Sequence, residues 1–367
     1  MRIGIDISQI VYQTGVSRYI VELVKHLLKI DDQNHYFLYG GSLRQRQLLN
    51  AFVCQVKTPQ VTSRLTRLSP KLADICWNRF NLFKPDCCQP LDIFHASNWA
   101  LPKTKAKLIT TIHDLTFLKY PQTHTPYSVA VHTRHLTRAK KYADRIIAVS
   151  GSTKKDLVDY GIPDRKISVI YEAPSRIFKP LKDLKQLRAI KAKYHLKTRY
   201  LLSVGTQEPR KNLKRLIKAY LNLNLTDTPL VIVGKFGWGD KTDPPPNVKL
   251  LGFVPDEDLV GLYSSAQAFV YPSLYEGFGF PVIEAMACGC PVVTSNCSSL
   301  PEISGQAALY VNPLSVTDIS HALKLANELG SEKRQSLIQA GFAQARQFSW
   351  EKTAKETLKL YQEVVKC

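Results

Sequence analysis

Short apolar runs alternate with stretches of helical period along most of this chain, and that alternation sets the expected architecture. Residues 2–7 predict a strand and the loop around Gly15 a turn. A helix follows from Ser17 to about Ile30, with Ile20, Leu23, Val24, Leu27 and Leu28 on one face. Further strands are predicted at 36–39, 93–96, 108–112 and 145–149, with a long helix between Pro126 and Tyr142. Between 174 and 196 the pattern breaks into an irregular basic stretch flanked by Pro174 and Pro180. It then restarts, with strands at 200–204, 230–233, 248–252, 268–271 and 291–294 and helices at 212–220, 258–265 and 281–287. Residues 237–246, rich in glycine and proline, read as a surface loop. Strand–helix alternation of this kind predicts an α/β protein, its parallel sheets covered by helices, here two doubly wound sheets joined near residue 175.

Composition refines this picture without overturning it. At 367 residues and 44% apolar, the chain can bury a large core. No apolar run approaches the roughly 18 residues of a spanning helix. Asp6 interrupts the first apolar stretch, which argues against a secretory signal and predicts a cytoplasmic protein. The eight cysteines, with Cys87 beside Cys88 and one residue between Cys288 and Cys290, form no disulfide framework and are expected to be reduced. His132 and His135 have a zinc-like spacing, but Arg134 and Arg138 surround them and no thiol or carboxylate is near, so no metal is expected.

The net charge of +20 is uneven: residues 1–178 hold 26 Lys+Arg against 13 Asp+Glu, and residues 179–367 hold 24 against 17. Residues 42–84 carry eight basic side chains and one acid, Asp74, interleaved with Leu48, Leu49, Phe52, Leu65, Leu68, Leu72, Ile75 and Trp77. This is either a solvated basic helical face or an amphipathic surface for anionic lipid or a lipid-linked acceptor. No nucleic-acid-binding motif accompanies the charge.

The candidate chemistry lies in loops that follow strands, where doubly wound sheets bind ligands. Glu276 and Glu284 have seven residues between them, including Gly277-Phe278-Gly279-Phe280, which runs into a helix started by Pro281. Glycines allow close backbone approach, and a helix start favours an anion. Taken alone, the two carboxylates could form a general acid/base pair. After the strand ending at Gly205 comes Thr206-Gln207-Glu208-Pro209-Arg210-Lys211, whose adjacent cations suit a diphosphate. His113 closes another strand, beside Asp114. Gly15 lacks the partner glycines of a dinucleotide fingerprint, which excludes a nicotinamide or flavin site there. Asp256-Glu257-Asp258 precedes a helical run and reads as a helix cap rather than a metal-binding Asp-x-Asp.

Together, the Glu276–Glu284 motif, the 205–212 segment, the 252–259 stretch and Thr111-Ile112-His113-Asp114 resemble retaining glycosyltransferases of family 4, above all those of mannosyltransferase type. The resemblance spans the chain. It implies the GT-B architecture: two Rossmann-like domains facing across a cleft, here 1–175 for the acceptor and 176–349 for a nucleotide sugar. The helix at about 350–367 would cross back to the first domain. It further implies that Glu284 holds the donor ribose and Glu276 the transferred sugar. The amides of Gly277, Phe278, Gly279 and Phe280 would face sugar and diphosphate. Arg210 and Lys211 would neutralise the leaving diphosphate in place of a metal, His113 would contact the sugar, and Phe253 and Val254 the base. Gly15, Gly205 and Thr206 would complete the donor site, although relatives commonly carry a glycine pair at the first position and some an arginine at the last. The implied donor is GDP-mannose, with a glycan or lipid-linked acceptor in polysaccharide or glycolipid synthesis and no cofactor. Glu276→Ala is expected to abolish transfer with modest loss of stability. The competing readings are a nucleotide-sugar epimerase or phosphorylase of the same fold, and a basic protein that binds membrane or nucleic acid.

Overall fold

The computed structural model describes residues 1–68, 72, 74–80, 82, 85, 90–237 and 244–366. The chain divides into two compact units, Met1–Glu172 with Ser349–Cys367, and Ala173–Phe348.

The first unit is built on a seven-stranded parallel sheet: β1 (Arg2–Asp6), β2 (His35–Gly41), β3 (Val61–Thr66), β4 (Ile93–Ala96), β5 (Lys107–Ile112), β6 (Arg145–Ala148) and β7 (Ile167–Val169). Their order is β3-β2-β1-β4-β5-β6-β7, so the winding reverses between β1 and β4. The central strands are buried on both faces, which is why they read as continuous apolar runs. Edge strand β3, Val-Thr-Ser-Arg-Leu-Thr, is largely exposed and polar, and the apolar pattern did not predict it. Its neighbours 46–55 form a helix, and 74–79 a turn of π-helix, so the 42–84 segment is not one amphipathic helical face. Leu49, Phe52 and Trp77 are buried, whereas Leu43, Leu72, Ile75, Phe80 and Leu82 are exposed. Residues 69–71, 73, 81, 83 and 84 of that segment, like 238–243 of the predicted 237–246 loop, lie outside the described residues.

A 3-10 turn, Ser8–Tyr12, leads from β1 to the helix Gly15–Ile30, whose start is closed by the Thr14 amide donating to Ser17 Oγ at 3.2 Å. This helix buries Tyr19, Ile20, Leu23, Val24 and Leu27 and packs against the helix Trp350–Lys366. The late helix therefore belongs to the first unit, as expected. Trp350 packs at 6.0 Å from the Tyr19 ring, and Tyr361 OH lies 2.6 Å from His95 Nδ1. His95 Nε2 in turn meets Thr111 Oγ1 at 2.9 Å, a buried polar chain that fixes where the helix docks.

The second unit carries a six-stranded parallel sheet, β8 (Leu201–Val204), β9 (Leu230–Val233), β10 (Val248–Gly252), β11 (Ala268–Tyr271), β12 (Val292–Ser295) and β13 (Ala308–Val311). The order is β10-β9-β8-β11-β12-β13, with the reversal between β8 and β11. Leu201, Leu230, Ile232, Val270 and Val293 from the strands pack with Leu216, Ile319 and Leu323 from the helices Leu213–Leu221 and Val316–Asn327. Part of the 174–196 stretch is ordered rather than irregular: Leu184–Lys193 is a helix started by Asp183, whose Oδ1 accepts from the Lys185 amide at 2.8 Å. Its Ile190 lies directly over Gly261, where a Cβ would come within 2.4 Å of Ile190 Cδ1. The strand–helix contrast missed this helix because none of its residues is fully buried and basic residues run through it.

Candidate active site

The reversal between β8 and β11 brings their carboxyl ends side by side, and the residues that follow them form one buried charged cluster. After β8, the 3-10 turn Pro209–Lys211 presents Arg210 and Lys211, and Asn212 ends it in a left-handed conformation at φ 61°. Asn212 Nδ2 pins that turn by donating to the carbonyls of Pro272 at 2.9 Å and Pro313 at 2.7 Å. After β11, the chain continues through Ser273 to Glu276. Arg210 Nη1 donates to Glu276 Oε2 at 2.6 Å, and Lys211 Nζ to Oε1 at 2.7 Å. Oε1 also accepts from Tyr271 OH at 2.8 Å and Ser273 Oγ at 2.5 Å. Arg210 Nη2 reaches Glu208 Oε1 at 2.6 Å, so two acids face two cations.

Burial alone would raise the pKa of Glu276, but Arg210 and Lys211 reverse the effect and hold it down at about 2. The carboxylate is therefore ionised at neutral pH and has no proton to give. Burial, and the adjacent Arg210, lower the pKa of Lys211, with Glu276 and Glu208 opposing. Burial and then Glu276 push the Tyr271 phenol up, so it stays a donor.

Gly277 to Phe280 lead from this cluster into the helix Phe280–Ala287, with Gly279 as its N-cap at φ 107°. Only glycine adopts that conformation without strain. Ser299 Oγ donates to the carbonyls of Glu276 at 3.0 Å and Phe278 at 2.9 Å, and the Glu276 amide donates to Ser298 Oγ at 3.0 Å. The Phe278 ring is buried between Phe280 and Phe348. Glu284, in the second turn of the helix, is buried and accepts from Tyr263 OH at 3.4 Å.

The remaining predicted donor residues sit along the same edge. Gly205 follows β8, and a Cβ at neighbouring Gly234 would fall 1.9 Å from the Gly205 carbonyl oxygen. Thr206 is exposed. After β10, Phe253 is 66% exposed with Lys235 Nζ 4.7 Å over its ring, while Val254 is buried. Asp256, Glu257 and Asp258 all fall in the first turn of the helix Asp256–Ser265, whose N-cap is Pro255 rather than an acid. Asp258 instead takes Lys193 Nζ and Tyr194 OH, each at 2.6 Å.

Gly15 and His113 belong to the first unit. Gly15 is the first residue of its helix. His113 follows β5 and meets the buried Glu172 through Nδ1 at 3.0 Å, with the Tyr19 ring edge-on at 4.9 Å. Burial raises the pKa of Glu172, with the histidine opposing. His135 is buried with Nε2 3.3 Å from Thr110 Oγ1, and His132 stacks on Phe117. No group of three metal-ligating side chains occurs among the described residues.

The sequence reading named Arg210, Lys211 and Glu276 but missed Glu208, Tyr271, Ser273 and Glu172. The first three lie within five residues of the motif members they touch. Glu172 could be found only through the fold, since 59 residues separate it from His113.

Two parallel Rossmann-like sheets and a charged cluster at the second reversal point define a GT-B protein. A family model described as Glycosyltransferase Family 4 matches residues 13–173, and one described as Glycosyl transferases group 1 matches residues 186–344. An O-antigen chain mannosyltransferase B of Escherichia coli is 32% identical over 95% of this chain and 96% of its own. The fold is shared with a sucrose-phosphate synthase from Thermosynechococcus elongatus (TM-score 0.75, 18% identity, 99% of both chains). It is shared also with Anabaena HepE, solved with UDP and glucose (TM-score 0.74, 16% identity, 99% of this chain and all of that one). The chain belongs to glycosyltransferase family 4 and is a glycosyltransferase.

Proposed function

We propose that this enzyme transfers mannose from GDP-mannose, with retention of anomeric configuration and without a metal, to a sugar hydroxyl of a growing surface polysaccharide such as an O-antigen. The observation that carries the reading is the Arg210–Lys211–Glu276 cluster beside the start of the helix Phe280–Ala287. Breaking the anomeric bond leaves negative charge on the diphosphate. Two fixed cations and a helix start supply the stabilisation that a divalent ion gives elsewhere. Glu276, ionised and held by four donors, steadies the developing positive charge on the sugar and takes no part in proton transfer. The departing phosphate oxygen accepts the proton of the attacking hydroxyl. Glu284 holds the donor ribose, the exposed Phe253 with Val254 meets the base, and His113 contacts the sugar. The donor assignment draws its support from the Escherichia coli relative, which is named a mannosyltransferase.

We place the enzyme in the cytoplasm at the inner membrane face, touching anionic lipid through the exposed Leu43, Ile75, Phe80 and Leu82 and the basic residues around them. Among the described residues, no helix is long and apolar enough to cross a membrane. Incubation with GDP-mannose and UDP-glucose in the presence of chelator, with product configuration read by NMR, tests the reading. Dependence on added divalent metal, an inverted product, or conversion of the nucleotide sugar without any acceptor refutes it.

A further inference from the structure

The two carboxylates of the charged cluster are held very differently. The Glu276 side chain is 9% exposed and accepts from Arg210, Lys211, Tyr271 and Ser273. The Glu208 side chain is 19% exposed, and Arg210 Nη2, at 2.6 Å, is its one side-chain partner among the described residues. The main chain of Glu208 is extended, at φ −137° and ψ 155°, just before the 3-10 turn Pro209–Lys211. Its carbonyl accepts from the Lys211 amide at 3.0 Å, which closes that turn. The backbone of Glu208 is thus fixed, while its carboxylate rests on a single contact. Four charge-assisted hydrogen bonds hold an acid far more firmly than one. Glu208 is the acid that can let go.

What it would release is the cation assigned above to the diphosphate. Arg210 Nη1 is engaged by Glu276 and by the Tyr275 carbonyl at 2.9 Å, both in the loop after β11. Nη2 reaches Glu208. A guanidinium grips phosphate best through two parallel N–H groups, and here Nη2 is occupied by an acid until that acid moves away. Charge balance leads the same way. With both acids in place, Arg210 and Lys211 are offset and a diphosphate meets little net attraction. With Glu208 swung aside, the cluster is cationic. Burial and then Arg210 lower the Lys211 pKa, whereas Glu276 and Glu208 oppose, so Glu208 also lies within electrostatic reach of the second cation.

We propose that Glu208 is an internal rival of the diphosphate: it occupies Arg210 in the empty site, yields it to the nucleotide sugar, and reclaims it as the nucleotide leaves. Glu208 acts through Arg210 and is a positioning residue that sets how tightly product is kept. This rests on the glycosyl-transfer reading, in which Arg210 meets the diphosphate. Once the sugar has gone, the nucleotide carries more negative charge on its distal phosphate than the donor did, so the rival works against product more than against donor. Glu208→Gln keeps the shape and an acceptor oxygen but removes the charge, and Glu208→Ala removes the contact. The test is calorimetric titration of the full chain with GDP, UDP and GMP, joined to steady-state transfer assays of product inhibition. The nucleoside diphosphate that the wild type binds should bind both variants about tenfold tighter, and inhibit them about tenfold more strongly. The donor KM should fall by less, and GMP, which lacks the distal phosphate, should gain less than the diphosphate. A residue that merely props Arg210 predicts the opposite sign. Unchanged or weaker diphosphate binding in both variants overturns the proposal, as does an equal gain for GMP, and either leaves the transferase reading standing. A wild type that binds neither GDP nor UDP removes both.

Discussion

Replacing Glu276 should unsettle the second unit far more than the sequence suggested. The motif by itself implied a ligand-binding side chain, dispensable for the fold. In the structure its carboxylate accepts four hydrogen bonds and faces two buried cations. Removing one partner of a buried ion pair costs about 3–5 kcal/mol, since the other charge stays behind. The titration gives the same scale: a carboxyl moved from 4.5 to about 2 contributes about 3 kcal/mol. Because its folded pKa is depressed, that stability is complete above pH 4.5 and is lost as pH falls towards 2. Glu276→Ala should therefore lower the midpoint of the transition of residues 173–348 by roughly 6–20 °C at neutral pH. The difference from wild type should shrink as pH drops towards 2. Adding Lys211→Met to the alanine variant should recover part of the loss by removing the orphaned cation, without restoring transfer. Differential scanning calorimetry across pH 2–7 with both variants makes the measurement. A midpoint within 2 °C of wild type, or a double variant less stable than the single one, would refute the reasoning.

Other expectations concern single positions. Arg210→Lys cannot reach both Glu276 and Glu208 and should lower kcat/KM for the nucleotide sugar at least tenfold; an unchanged value in steady-state kinetics would count against the forked role. Glu172→Gln keeps an oxygen near His113 Nδ1 but removes its charge, so turnover should fall about tenfold to a hundredfold with nucleotide affinity preserved; an identical pH–rate profile would show that Glu172 does not position the histidine. Gly234 and Gly252 both have positive φ, but a Cβ meets the Gly205 carbonyl at 1.9 Å in the first and nothing within 4 Å in the second. Gly252→Ala should cost about 1–2 kcal/mol, while Gly234→Ala should displace the β8 edge and abolish nucleotide binding; equal thermal midpoints would contradict this.

Sequence pattern served well where physics is local. Strands buried on both faces, such as β9 and β11, are continuous apolar runs and were legible, and so were the charged segments that follow β8 and β11. Strand β3 was not, because an exposed edge alternates polar residues. Helix Leu184–Lys193 was masked by its lysines and arginines, although Asp183 supplied a start signal. At the site, Arg210 and Glu276 announced themselves by type and neighbours. That they grip each other depends on β8 and β11 lying side by side, a fact of winding order that no short window contains. Asp6 was read only as an interruption of an apolar stretch. Its place beside Ser97, 91 residues on, emerges from β1–β4 pairing.

The return of helix Trp350–Lys366 to the first unit has a consequence for synthesis. During translation the sheet of the first unit emerges early, but the helix that packs on Tyr19 and His95 is made only after the whole second unit. Residues 173–348 can fold as soon as they leave the ribosome, whereas the earlier unit keeps an apolar groove open until about residue 366 is free. The part of the chain made first is thus the last to be finished, and it is the part most in need of chaperone protection while it waits.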